Sequence, residues 1–120
     1  MDKKMLGTLG EEAALELLRR RGYKILCRNF RCALGELDIV AREGATVIFV
    51  EVKSRSTEEF GDPLEAVGRG KRRKLARLAQ YYLLTHNLHG SPCRFDVVSV
   101  LLGTDGRIHS IEHIPNAFEV

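Results

Sequence analysis

No apolar run in the 120-residue sequence approaches the ~20 residues that a membrane helix needs; stretches such as Val47-Ile48-Phe49-Val50 fall far short. The opening MDKKMLGTLGEE carries lysines but no apolar core of signal-peptide length. A cytoplasmic, membrane-free protein is the reading. Cysteine is scarce: Cys27, Cys32 and Cys93 are odd in number and lack a CxxC spacing, which excludes a disulfide framework. Reduced thiols are expected, as is usual in the cytosol. A zinc site built from all three and a histidine is the alternative, and the missing paired short spacings count against it. Low-complexity segments and internal repeats are absent too, so solenoid and linker classes are set aside.

The chain length suits one domain over residues 1–120 with a real core. Net charge is only +3, but its distribution is uneven. Residues 69–77, RGKRRKLAR, hold six basic groups and no acid. Residues 19–31 form a second basic run without an acid, while acids gather at 11–16, 58–65 and the C-terminus. Such patches suit a polyanion partner; a solvated helix face is the plainer alternative.

Apolar periodicity predicts a helix over 8–21, with Gly10, Ala14, Leu17, Leu18 and Arg21 on one stripe. Thr8 and Glu11 have the spacing of a capping box. Glu11 falls at the rim of the stripe and Glu12 faces solvent, so Glu11 is either a site acid or a cap. Gly22 should end the helix. Strands are expected at 23–29, 36–42 and 46–53, with Gly44-Ala45 as a type II′ turn between the last two. Asp62-Pro63-Leu64-Glu65 reads as a short helix start. A longer helix spans about 70–86 with Leu75, Leu78, Ala79, Tyr82 and Leu83 on its apolar stripe. Strands at 94–102 and 107–114, split by Thr104-Asp105-Gly106, complete the order α-β-β-β-α-β-β, and the tail 115–120 should be loose. Helices must cover sheet faces, so the fold class is α/β around one sheet. Strand 46–53, apolar on both faces over 47–50, should be central.

That strand ends in Glu51-Val52-Lys53. Residues two apart share a face, so Glu51 and Lys53 stand on one side. With Gly44-Ala45 as the turn, Glu43 pairs with Thr46, Val40 with Phe49, Asp38 with Glu51 and Glu36 with Lys53. Facing carboxylates with Cβ atoms about 5 Å apart repel each other. Lys53 can compensate, which gives a structural ion-pair network. A divalent cation can do so as well, and oxygen donors alone suit Mg²⁺ or Mn²⁺. Asp38 and Glu51, joined by the carbonyl of Val52, would then hold a metal. Lys53 would position the nucleophile and stabilise charge on phosphate, the equipment for phosphodiester hydrolysis.

Gly10-Glu11, GELDIVA (35–41), FVEVKSR (49–55), Phe60-Gly61, Lys71, Ala79, Tyr82-Leu83 and RFDVV (94–98) occur in that order. Together they resemble the YraN family of uncharacterised bacterial proteins. That family is similar to archaeal Holliday-junction resolvases of the restriction-endonuclease-like PD-(D/E)xK superfamily. The resemblance implies a central mixed sheet with helices on its faces. It implies a metal-dependent endonuclease for DNA, with branched or flapped DNA as the substrate class and a homodimer as an open option. It matches Asp38 to the metal-binding aspartate, Glu51 and Lys53 to the E-x-K motif, and Glu11 to an acid of the first helix. The superfamily's proline before the aspartate is Leu37 here. Arg55, Lys71, Arg72, Arg73 and Lys74 become candidate DNA contacts. Cations at a helix N-terminus oppose its dipole, and a bound phosphate would relieve that. The alternatives are a non-catalytic DNA-binding adaptor in repair, recombination or DNA uptake, and a protein-binding module.

Overall fold

A computed structural model describes residues 1–57 and 68–119. The elements run α1 (Lys3–Arg20), β1 (Lys24–Cys32), β2 (Gly35–Glu43), β3 (Thr46–Ser56), α2 (Arg69–Thr85), β4 (Cys93–Leu102) and β5 (Ile108–Phe118). The expected order is therefore present. The helix start at Asp62 lies outside the described residues. Among the described residues five strands form one mixed sheet in the order β1-β2-β3-β4-β5, in which only β3 and β4 run parallel. Among the described residues no helix is long and apolar enough to cross a membrane.

β3 is central, and its period-2 alternation builds two cores. Val47 and Phe49 face α2 and pack with Val40, Leu75, Leu78 and Tyr82. Ile48 and Val50 face α1 and pack with Ala14, Leu15, Leu18 and Ile39. Gly44 takes φ 59, as the first central residue of a type II′ turn must. The β2–β3 ladder keeps the expected register, with Glu43 opposite Thr46 and Val40 opposite Phe49. At the end of α1, Gly22 has φ 86 and donates to Arg19 O, while Tyr23 donates to Leu18 O, a Schellman closure.

Three expectations are corrected. α1 begins at Lys3, because Asp2 caps it: its Oδ1 accepts from the Met5 N–H at 2.7 Å. Thr8 lies inside the helix and donates its hydroxyl to Lys4 O, so there is no capping box with Glu11. The buried residues of α1 are Gly10, Ala14, Leu15 and Leu18, so Leu15 takes the place expected for Leu17. Glu11, Ala14, Leu15 and Leu18 follow the i, i+3, i+4, i+7 spacing of one helix side, which puts Glu11 on the inward stripe itself. The tail is not loose either. β5 continues to Phe118, which is buried and stacked on Phe95 at 5.2 Å between ring centroids. Fully buried Asp96 holds this end down: it accepts from the Asn116 N–H at 2.9 Å, from His113 Nε2 at 2.7 Å and from Arg94 Nε at 3.0 Å. Burial pushes the Asp96 carboxyl up, but these hydrogen bonds outweigh it and keep it below its ordinary value.

α1 approaches β3 closely at Gly10. A side chain there would overlap the Ser54 hydroxyl and lie 2.8 Å from Ser54 Cβ. Helix propensity favours alanine over glycine by about 1 kcal/mol, whereas overpacking costs about 1–3 kcal/mol. Gly10→Ala should therefore lower the denaturation midpoint, and Ser54→Gly in the same chain should restore it. A more stable Gly10→Ala protein would mean that the contact yields without cost.

Candidate active site

The β2–β3 pairing stops at Ile39 and Val50, one pair short of Asp38 and Glu51. The expected Asp38–Glu51 and Glu36–Lys53 ladder pairs are thus absent, and Glu36 pairs instead with Arg31 of β1. The neighbouring β1 is irregular at the same level. Asn29, between the paired residues Arg28 and Phe30, takes φ 53, a left-handed conformation that Asn tolerates better than most residues. Alternation breaks there, and Leu37 packs into the same cluster as Val40. Freed from the ladder, Asp38 turns its Oδ2 to accept from the Val52 N–H at 2.9 Å. What Val52 gives the cluster here is its N–H.

Glu51 is buried, 8% exposed, at the end of the apolar run of β3. Its Oε1 lies 2.5 Å from Lys71 Nζ and 3.5 Å from Lys53 Nζ. Lys71 was expected among the DNA contacts; the first turn of α2 instead aims it at Glu51. Sequence alone missed this, since twenty residues and a helix orientation separate the partners. Glu11 lines the same cleft as Asp38 and Lys53. Arg28 lies 3.5 Å from Glu11 and 2.6 Å from Glu12.

The electrostatics separate the roles. Burial, reinforced by the charge of Glu51, pushes the Asp38 carboxyl up to about 7 against the hydrogen bond from Val52. Burial and the neighbouring Lys71 draw the Lys53 ammonium down. Burial also acts to lower Lys71, but its hydrogen bonds to Glu51 and Lys53 win and hold it above its ordinary value. Lys71 is thus the fixed cation of the cluster, and Lys53 is the amine that gives up its proton more readily.

Of the other expected DNA contacts, Arg73 and Lys74 are exposed on α2. Arg72 packs its guanidinium over the Phe118 ring at 5.1 Å, and Arg55 is half-buried on β3. Cys27, Cys32 and Cys93 carry free thiols. Among the described residues no three His, Cys, Asp or Glu side chains close into a metal cage.

A family model described as uncharacterised protein family UPF0102 matches residues 10–100. The chain belongs to the UPF0102 family. A UPF0102 protein of Moorella thermoacetica is 49% identical over 118 residues, covering 98% of each chain. One from Caldicellulosiruptor saccharolyticus is 48% identical over 118 residues, 98% of this chain and all of its own. One from Geobacter metallireducens is 46% identical over 120 residues, the whole of this chain and 97% of its own. This is the YraN family to which the motifs point, and the UPF0102 match takes in Glu11, Asp38, Glu51, Lys53 and Lys71.

Proposed function

We propose that this UPF0102 protein is a metal-dependent endonuclease that hydrolyses DNA phosphodiesters. One observation carries the reading: two carboxylates, Asp38 and Glu51, converge where β2 and β3 part, and an ammonium, Lys71 Nζ, sits 2.5 Å from Glu51. What favours an ion over a purely structural network is a carboxyl pushed up to about 7 by burial and by a second carboxylate beside it, a repulsion that a divalent cation would relieve. The donor set fits Mg²⁺ or Mn²⁺, which take one or two carboxylates and keep water and phosphate as the remaining ligands. When bound, the ion would lower the pKa of a water and offset charge on phosphate. Asp38 and Glu51 would hold it with the carbonyl of Val52, whose N–H is already given to Asp38. Lys53, the more readily deprotonated amine, would orient the attacking water and accept its proton. Glu11 would face the cleft from α1. The family resemblance extends the substrate to branched or flapped DNA. The reading places the protein in the cytoplasm, where its thiols stay reduced.

The test is cleavage of branched, flapped and linear DNAs with Mg²⁺ and with Mn²⁺, using Asp38→Asn as the control for contaminating nucleases. No cleavage of any substrate, with no ion bound at millimolar concentration, favours the adaptor.

Lys71 supplies a second test. Its ammonium occupies the ground on which a divalent ion would compete for Glu51. Lys71→Met should therefore tighten Mn²⁺ binding by about tenfold, equivalent to ~1.4 kcal/mol, as read by titration calorimetry. Without metal the same change should destabilise the fold by about 1–2 kcal/mol, because Glu51 loses its partner and the pair is only partly buried. Weaker Mn²⁺ binding in Lys71→Met would make Lys71 a support of the ion rather than its competitor.

A further inference from the structure

Asp38, Glu11 and Lys53 line one end of an open cleft of about 570 Å³ on the α1 side of the sheet. Its remaining wall includes Lys3, Lys4, Asn29 and Arg31. We infer that this cleft is the track for the phosphodiester backbone of the strand to be cut, with Lys3, Lys4 and Arg31 as its phosphate contacts. The inference rests on the nuclease reading for the cut itself, though not for the binding.

Three observations carry it. First, Lys3 and Lys4 stand in the opening turn of α1, which holds no acid. Cations there are unfavourable to the helix by a few tenths of a kcal/mol or more, so helix stability does not account for them; a polyanion across that turn does. Second, Arg31 is weakly held. Its contact with Glu36 is 3.5 Å long and its side chain is 75% exposed, so it can turn to a phosphate at little cost. Third, the rival basic surface is elsewhere. The groove walled by Arg69, Arg73 and Arg77 on α2 contains none of Glu11, Asp38, Glu51 or Lys53. The cleft at Asp38 is walled instead by residues of α1 and β1, with Lys3, Lys4 and Arg31 among them. The cleft's volume is in the range of small-ligand sites, room for a few units of one backbone.

The test compares two triple variants on a fluorescein-labelled flapped DNA, in EDTA so that no cleavage intervenes. K3Q/K4Q/R31Q removes the cleft cations, and R69Q/R73Q/R77Q removes the α2 set. Each lost phosphate contact should lower the slope of log K against log salt by about 0.9. The cleft triple should therefore flatten the slope by about 2–3 and weaken binding more than the α2 triple does. All six positions are surface groups, and thermal melts matching wild type confirm that the variants fold. An unchanged slope and affinity in the cleft triple overturns the inference, and so does a wild type that binds no DNA. Wild type that cleaves while the cleft triple binds normally refutes the track and leaves the nuclease. A cleft triple that loses binding in a protein that never cleaves refutes the nuclease and leaves the track.

Discussion

Asp38→Asn, Glu51→Gln and Lys53→Ala should each reduce metal-dependent cleavage by about 10²–10⁴-fold while DNA affinity stays within about twofold of wild type. Groups that stabilise developing charge act on the transition state, and losing one commonly removes two to three orders of magnitude. Affinity instead comes from counterions released by surface cations, and the cleft cations Lys3, Lys4 and Arg31 are intact in all three variants. The two carboxylate changes should also abolish Mn²⁺ binding, whereas Lys53→Ala should spare it. The residues act on one reacting centre, so the Asp38→Asn, Lys53→Ala double variant should be hardly slower than either single one. Single-turnover cleavage of an end-labelled substrate reads all of this. Three variants that cut as well as wild type would place the chemistry elsewhere.

Without metal, Asp38→Asn should be more stable than wild type above pH 7 and indistinguishable from it near pH 4. The folded Asp38 carboxyl sits at about 7, above the 3.8 of an unperturbed group. The native state therefore holds this proton more tightly than the unfolded chain does. Its contribution is complete below pH 4 and is lost as pH rises through 7. Discounted for partial exposure, the difference at pH 8 is roughly 2–3 kcal/mol, or several degrees in Tm. Mn²⁺ should narrow that gap: at ten times its Kd it adds about 1.4 kcal/mol to wild type and nothing to the variant. Melting curves at pH 4, 6 and 8, with and without Mn²⁺, check both halves. Parallel pH profiles would mean that Asp38 is ionised throughout.

The strands of the site were legible because their signals are local. Alternation from Val47 to Val50 and a glycine at position 44 determine the hairpin and its register with few neighbours involved. The end of that register was not legible, because no local signal in β2 or β3 marks it and the irregularity at Asn29 lies in a different strand. The beginning of α1 was missed because two lysines in a first turn argue against a helix start, and Asp2 outweighs them as a cap. Glu11 was placed at the rim of the stripe because Leu17 and Arg21 were counted on it in place of Leu15. Lys71 was read as one of six like charges; only the orientation of α2 against β3 separates it from Arg73 and Lys74. Pro115 looked like a terminator. It is tolerated because β5 is an edge strand with a register shift opposite Asp96, where a missing N–H costs no ladder bond.

That same stretch of β5 bears on self-association. An edge strand offers its unpaired N–H groups as a template for another chain, the usual route to strand-by-strand aggregation. Here Pro115 has no N–H to offer, and the N–H of Asn116 is already taken by Asp96. The proline withdraws one docking point near the C-terminal end of the rim, and the buried aspartate, by fastening Asn116 from the β4 side, holds that proline in place.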